Sequence, residues 1–163
     1  MSPRAAARLE TLGFTKVYDY VTGKADWLAT ALPSEGSSAS LPDARRAVRG
    51  DDIACHLGER LGDSVGRVRA AGKDVCIVID DHHVVLGRVR GRALDGDPDA
   101  LIEDVMQSGP STIRPDTPLE TVVKTLRAGN VRSTLVTDPG GRLIGTLYLE
   151  DAERILSEEA KGS

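Results

Sequence analysis

Aromatic side chains are nearly missing from this chain, which has one Trp, one Phe and three Tyr in 163 residues. Its core must be built from Leu, Val, Ile and Ala. Excess positive charge is missing too: 21 Lys and Arg stand against 25 Asp and Glu, a net charge of −4. That leaves no basic face to neutralise a phosphate backbone, so nucleic acid is not an expected partner. Two cysteines, Cys55 and Cys76, are too few for a disulfide framework, and no CxxC or Cys/His grouping suggests zinc. Cys76, inside VCIVI, reads as a buried apolar residue. No apolar run approaches the roughly 18 residues of a membrane span, and the N-terminus lacks a signal-peptide core. The expectation is a cytoplasmic chain without membrane contact.

The length fits about one domain, or one small domain with an appendage. At the N-terminus, Ser2 and Pro3 precede AAARLETL, where Ala5, Leu9 and Leu12 recur at helical spacing and Gly13 supplies the stop. VYDYV then reads as a short strand and KADWLATAL as a second helix ended by Pro33. Two helices and a strand cannot enclose a core alone. The following SEGSSASLP is a Ser/Gly/Pro-rich connector.

From Ile53 onward the chain repeats itself. Residues 53–93 lie over 111–151 at a constant offset of 58 without a gap, pairing Leu61 with Leu119, Val65 with Val123, Arg69 with Arg127, Ala70 with Ala128, Val78 with Val136, Asp80 with Asp138 and Gly87 with Gly145. Each copy reads as a short extended piece (IACH; STIR), an amphipathic helix, a buried strand (VCIVI; TLVT), a turn (DDHH; DPGG), a second strand (VVLGRV; RLIGTL) and a closing helix. The unit is β-α-β-β-α. One copy is too small to be comfortable alone, so two should pack into one α/β domain.

At these residues the chain resembles a tandem pair of cystathionine-β-synthase-type (CBS) domains, or Bateman module. The second copy carries the run DVMQSGPSTIRPDTPLETVVKTLRAGNVRSTLVTDPGGRLIGTLYLEDA, with Asp104-Val105-Met106 ahead of it, Pro115 to Leu119 before the helix and Gly145 to Asp151 at its end. Residues 1–35 resemble the C-terminal end of a rhodanese domain, through GF-x-x-V-x-x-Y, Gly-x-x-x-Trp and Leu-Pro-x-Glu. The nucleophilic cysteine of that family would precede this stretch, and neither Cys55 nor Cys76 replaces it. The expected division is a rhodanese-like fragment over 1–35, a linker over 36–50, a degenerate first CBS motif over 51–106 and a second over 107–158. The two motifs are expected to pack with pseudo-two-fold symmetry beside a helix-strand-helix appendage.

The resemblance implies a regulatory, non-enzymatic module that binds an adenosine-bearing ligand: AMP, ADP, ATP or S-adenosylmethionine. The family signature is glycine, two apolar residues, Thr or Ser, two variable residues, then Asp. A carboxylate on a first helical turn can accept both ribose hydroxyls, while the helix N-terminus favours phosphate. Carried onto this chain, Gly145 permits close approach, Tyr148 stands at the Thr/Ser place, Asp151 holds ribose, and Thr112 and Ile113 line the adenine pocket. The alternative for Asp151 is a helix cap. In the first copy Gly87 remains, but Arg90 and Ala93 replace Thr/Ser and Asp, so one site per chain is expected. One of Arg88, Arg90 and Arg92, with Arg90 as the candidate at the Thr/Ser place, could reach phosphate from the other copy, or the triplet is a solvated face. His82 and His83 lack convergent partners for a metal, and Asp95 to Asp99 lacks the spacing of a calcium loop. A homodimer and an unidentified effector protein are the implied partners. Two other readings stand beside this one: a truncated rhodanese-type sulfurtransferase with CBS domains, and a ligand-free dimerisation module.

Overall fold

The structure, a computed structural model, describes residues 8–18, 23–30, 32–33 and 41–162. Near the N-terminus residues 8–11 are helical and end at Gly13, whose φ of +94° suits the expected stop. Helix α1 spans Gly23–Ala29, and Trp27 Nε1 donates to Pro33 O at 2.9 Å. Ala5 and residues 19–21 of the expected strand lie outside the described residues, while Val17 and Tyr18 are not in a strand. Leu12, Phe14 and Tyr18 are exposed.

The repeat folds as two four-stranded sheets. One contains β2 (Ala54–His56), β3 (Val75–Ile79), β4 (Val85–Arg90) and β5 (Gln107–Ser108), in that order. The other contains β1 (Val48–Arg49), β8 (Leu143–Tyr148), β7 (Ser133–Thr137) and β6 (Thr112–Ile113). Each sheet has one parallel pair, β2 with β3 and β6 with β7, joined by the helix of that copy: α2 (Leu61–Ala70) and α4 (Leu119–Ala128). The offset of 58 holds for these elements, down to the irregularity between Val78 and Ile79 and its mate between Val136 and Thr137.

Residues 43–49, within the expected 36–50 linker, are part of the fold. A 3₁₀ helix, Ala44–Ala47, buries Ala44 and Ala47 in the core of the second copy, and β1 pairs antiparallel with β8. The same arrangement recurs 58 residues later. Helix α3 (Ile102–Val105) inserts Ile102 into the core of the first copy, and β5 pairs with β4. Leu119 N donates to Pro42 O as Leu61 N donates to Ala100 O, both at 2.9 Å. Each copy is thus completed by the lead-in segment of the other.

Gly145 and Gly87 make these crossings feasible. A Cβ on Gly145 would stand 2.1 Å from Arg49 O, and one on Gly87 3.0 Å from Gln107 O. The glycine of the expected ligand signature makes room for β1 itself. Between the copies, Ile77, Ile79 and Leu135 form a shared apolar layer. The two hairpin turns bond reciprocally across it, Val85 N to Gly141 O at 3.0 Å and Leu143 N to His83 O at 2.9 Å. The pseudo-two-fold axis therefore runs between DDHH and DPGG.

Two expectations are corrected. The closing helix is full length only in the second copy, as α5 (Leu149–Gly162); the first has a 3₁₀ helix, Gly91–Asp95, because Gly96 and Pro98 follow at once. Cys76 is buried, yet it is bonded to Cys55 as a single cross-strand disulfide with Cα atoms 6.2 Å apart, inside the usual span. Parallel pairing of β2 with β3, invisible in the spacing of 21 residues, brings them together. Among the described residues no helix is long and apolar enough to cross a membrane, and no cluster of His, Cys, Asp or Glu could hold a metal.

Candidate ligand clefts between the motifs

Two adjoining depressions lie where the copies meet. The larger, about 1050 Å³, is bounded by β3 and β4 on one side and β7 and β8 on the other. Its lining follows the symmetry: Arg88 opposes Thr146, Arg90 opposes Tyr148, and Ile77 opposes Leu135. The smaller, about 320 Å³, is a groove between β6 and α4, walled by Ile113, Val122 and Leu126 and by the hydroxyls of Ser111, Thr121 and Thr125. Arg88, Val131, Ser133 and Thr134 line both. One elongated ligand could occupy the two together.

Arg88 is the charged residue common to both. Its Nε donates to Gln107 Oε1 at 3.2 Å, and burial, helped by neighbouring Arg90, pulls its pKa below the ordinary guanidinium value. Arg88, Arg90 and Arg132 face the larger cleft, and among the described residues none of the three is in an ion pair with a carboxylate. Uncompensated guanidiniums in a concave, partly desolvated site attract anions, phosphate above all.

The corresponding groove of the first copy is bridged by its own side chains. Where the second copy has Thr117, Val122 and Thr125, the first has Glu59, Ser64 and Arg67. Arg67 pairs with Glu59 and donates to Ala54 O at 3.3 Å, while Ser64 Oγ donates to Glu59 Oε2 at 2.9 Å. Arginine here closes what threonine leaves open. Around the first copy's lead-in, Lys73 Nζ meets Asp51 Oδ2 at 2.6 Å and Thr146 Oγ1 donates to Asp52 Oδ1 at 2.6 Å.

The six residues expected at the ligand site are divided by the fold. Arg90 and Tyr148 line the larger cleft and Ile113 the smaller groove. Thr112 lines neither; its hydroxyl accepts from Thr137 Oγ1 at 3.2 Å. Gly145 accommodates β1. Asp151 lines neither depression and is not the cap, since it is the third residue of α5. Its Oδ2 lies 2.7 Å from Arg49, and its Oδ1 3.4 Å from Arg154. The Asp151 bond is the chief reason that the Arg49 pKa is raised; Arg49 also reaches Glu150 at 3.2 Å and lies 4.6 Å over the Tyr148 ring. Ser111 and Arg132 also line these clefts and were not singled out in the sequence, while Arg88, one of the arginine triplet weighed there for phosphate, reaches the β6 groove through the crossing of the two copies.

Two interlaced β-α-β-β copies about a pseudo-two-fold axis, with clefts at their junction, define a tandem-repeat α/β module. Residues 102–158 match the family model described as CBS domain, and the chain has the fold of a CBS domain pair. It is similar to protein MJ1004 from Mathanocaldococcus jannaschii (20% identity, TM-score 0.65, 72% of this chain and 60% of that one). It is also similar to the cytosolic domain of the Mg2+ channel MgtE in complex with ATP (20%, 0.64, 73% and 51%). A third similar structure is the CBS domain pair of protein MJ0100 in complex with 5′-methylthioadenosine and S-adenosyl-L-methionine (16%, 0.61, 73% and 98%). The chain spans 60% and 51% of the first two structures. No curated protein matches it.

Proposed function

We propose that this chain is a non-catalytic regulatory module that binds one adenosine-bearing anion in the joined cleft at Arg88. The observation that carries this reading is the set of guanidiniums without carboxylate partners, Arg88, Arg90 and Arg132, turned toward a concave site beside an apolar and hydroxyl-lined groove. Phosphates lie against the arginines, and the base enters the groove at Ile113, Val122 and Leu126. Of the carboxylates lining the larger cleft, Asp74, Glu150 and Glu153, the last two are paired with Arg49 and Arg127, so the three unpaired guanidiniums favour ATP, ADP or AMP over S-adenosylmethionine, which carries a sulfonium. A ligand spanning both motifs shifts the equilibrium between their packings by its differential affinity, and the change is read by an attached domain or partner. The complexes of MgtE with ATP and of MJ0100 with S-adenosyl-L-methionine lend support by similarity of fold. Two further parts of the proposal are pairing into a homodimer, which light scattering tests, and the rhodanese-like character of residues 1–35, whose exposed Leu12, Phe14 and Tyr18 offer apolar surface to a neighbouring domain.

Calorimetric titration of ATP, ADP, AMP and S-adenosylmethionine into the purified chain tests the reading. One equivalent should bind. Arg88→Ala should weaken binding about 10- to 100-fold, the worth of a charge-assisted hydrogen bond. Equal binding by wild type and Arg88→Ala would place the ligand elsewhere.

A further inference from the structure

The two lead-in segments, residues 43–49 and 101–107, are mates at the offset of 58, yet they are anchored differently. In the second, Ile102 is fully buried, and Val105 and Met106 pack beside it in the core of the first copy. In the first, the same places are held by Ala44, Ala47 and Val48. Ala44 offers its core a single methyl where Ile102 offers a branched chain, so it takes less apolar area out of water. Glu103 Oε2 accepts from Gly58 N at 2.9 Å, which pins the second segment to the loop before α2. The mate of Glu103 is Arg45, set against the loop before α4 by its own backbone N–H, which donates to Pro115 O at 3.0 Å. A guanidinium has no acceptor to offer that loop. Its Nε and Nη2 form the side-on fork that grips a carboxylate or phosphate. Both atoms are buried, and among the described residues neither has an acceptor. Such an edge, shut away from water, opposes the seating of the segment that carries it. What holds residues 43–49 down is charge on half-exposed arginines. Arg46 pairs with Glu159 at 2.6 Å, and Arg49 with Asp151 at 2.7 Å and Glu150 at 3.2 Å, all of them on α5. Pairs at such a surface contribute little and are screened by salt.

We infer that residues 43–49 are a releasable strap: the module exchanges between a seated form and one in which this segment lifts from the second copy while its mate stays in place. Lifting hydrates the Arg45 fork. It uncovers the edge of β8 at Thr146 and Leu147 and the core faces of Leu119 and Ala152. The hinge lies in residues 50–52, where Gly50 is exposed. The strap is the covalent path from residues 1–42 to β2, so a pull from the N-terminal side acts on it directly. Thr146 and Tyr148 of β8 also line the larger cleft, and the wall they form changes with the seating of the strap. The inference holds whatever ligand that cleft accepts.

Native-state hydrogen exchange on the full chain, followed amide by amide, tests it. Ala44 N, bonded to Thr117 O at 2.8 Å, is the reporter, and its mate Ile102 N, bonded to Glu59 O at 3.0 Å, is the control. Corrected for intrinsic rates, wild-type Ala44 should exchange at least about 10-fold faster than Ile102, because local opening reaches only the first segment. Arg45→Met should slow Ala44 about 10-fold, the worth of removing one unsatisfied buried donor. Arg46→Gln, which loses only a surface pair, should speed it, as should added salt. Equal protection of Ala44 and Ile102 in the wild type overturns the strap. A faster Ala44 whose rate neither variant moves overturns it as well, since release would then owe nothing to the buried fork or to the pairs on α5.

Discussion

Replacing Gly145 by alanine should detach β1 from the second sheet, and the size of the effect can be worked from the crossing. The added Cβ would meet Arg49 O at 2.1 Å and Arg49 C at 2.9 Å, both backbone atoms that no rotamer change can move, and the residue sits at a φ of +156°. Backbone strain there costs about 1–2 kcal/mol. Displacing β1 forfeits the pairing of Val48 and Arg49 with Leu147 and Thr146, on the order of 1 kcal/mol for each residue. The sum, about 3–4 kcal/mol, is a large part of the stability of a small domain. It corresponds to a fall in melting temperature of roughly 10–15 °C. Differential scanning calorimetry would measure it against two controls. Gly87→Ala, which meets the flexible Met106 Sδ at 2.7 Å and Gln107 O at 3.0 Å without a positive φ, should fall between wild type and Gly145→Ala. Gly66→Ala lies on the exposed face of α2 with nothing within 4 Å of the new Cβ and should gain about 0.5–1 kcal/mol in helix propensity. A Gly145→Ala protein that melts within about 2 °C of wild type would refute the account of these glycines as crossing points.

Asp52 and the disulfide give two further predictions. Burial raises the Asp52 pKa, against the opposing hydrogen bond from Thr146; the folded state therefore binds this proton more tightly than the unfolded chain, and the stabilisation is complete at low pH and lost as pH rises through the folded value. Asp52→Asn should thus melt above wild type at pH 7, with an advantage that shrinks as pH falls through the raised folded value and is gone below about 4, the ordinary carboxylate value; an advantage constant with pH would show that Asp52 is not the titrating group. Thiol titration of the unfolded, unreduced chain should find no free cysteine, and reduction should cost roughly 3 kcal/mol, the entropy of a closed loop of this size. Two free thiols would contradict the pairing of Cys55 with Cys76.

The repeat made most of the architecture legible. Because the same apolar positions recur at a constant offset, each helix and main strand of one copy corroborates its mate, and α2 and α4 fall at the repeat's own spacing. The two-residue strands β1 and β5 were hidden, since two residues have no periodicity, and with them went the crossing of the copies. The candidate site suffered most from that. Thr112 and Ile113 were grouped with Asp151 as members of one copy, but a cleft between interlaced copies draws on both. Arg49, distant in sequence from Asp151, gave no local sign of being its partner. Gly145 and Gly87 were visible as shared glycines, though the atom each admits is a backbone oxygen of this chain.

The reciprocal lead-ins separate the unit of sequence from the unit of folding. Residues 102–158 match a family model, yet a polypeptide cut to those limits would give up β1, Ala44 and Ala47 while keeping α3 and β5, which belong against the first copy. It would carry an open sheet edge and an uncovered core at one end and an orphaned helix at the other. The smallest piece with a closed interior begins near Pro42 and ends in α5, with both copies included. Insertions, fusions and truncations of this module therefore belong outside those bounds, and the natural seam between its halves is not a place where the chain can be divided.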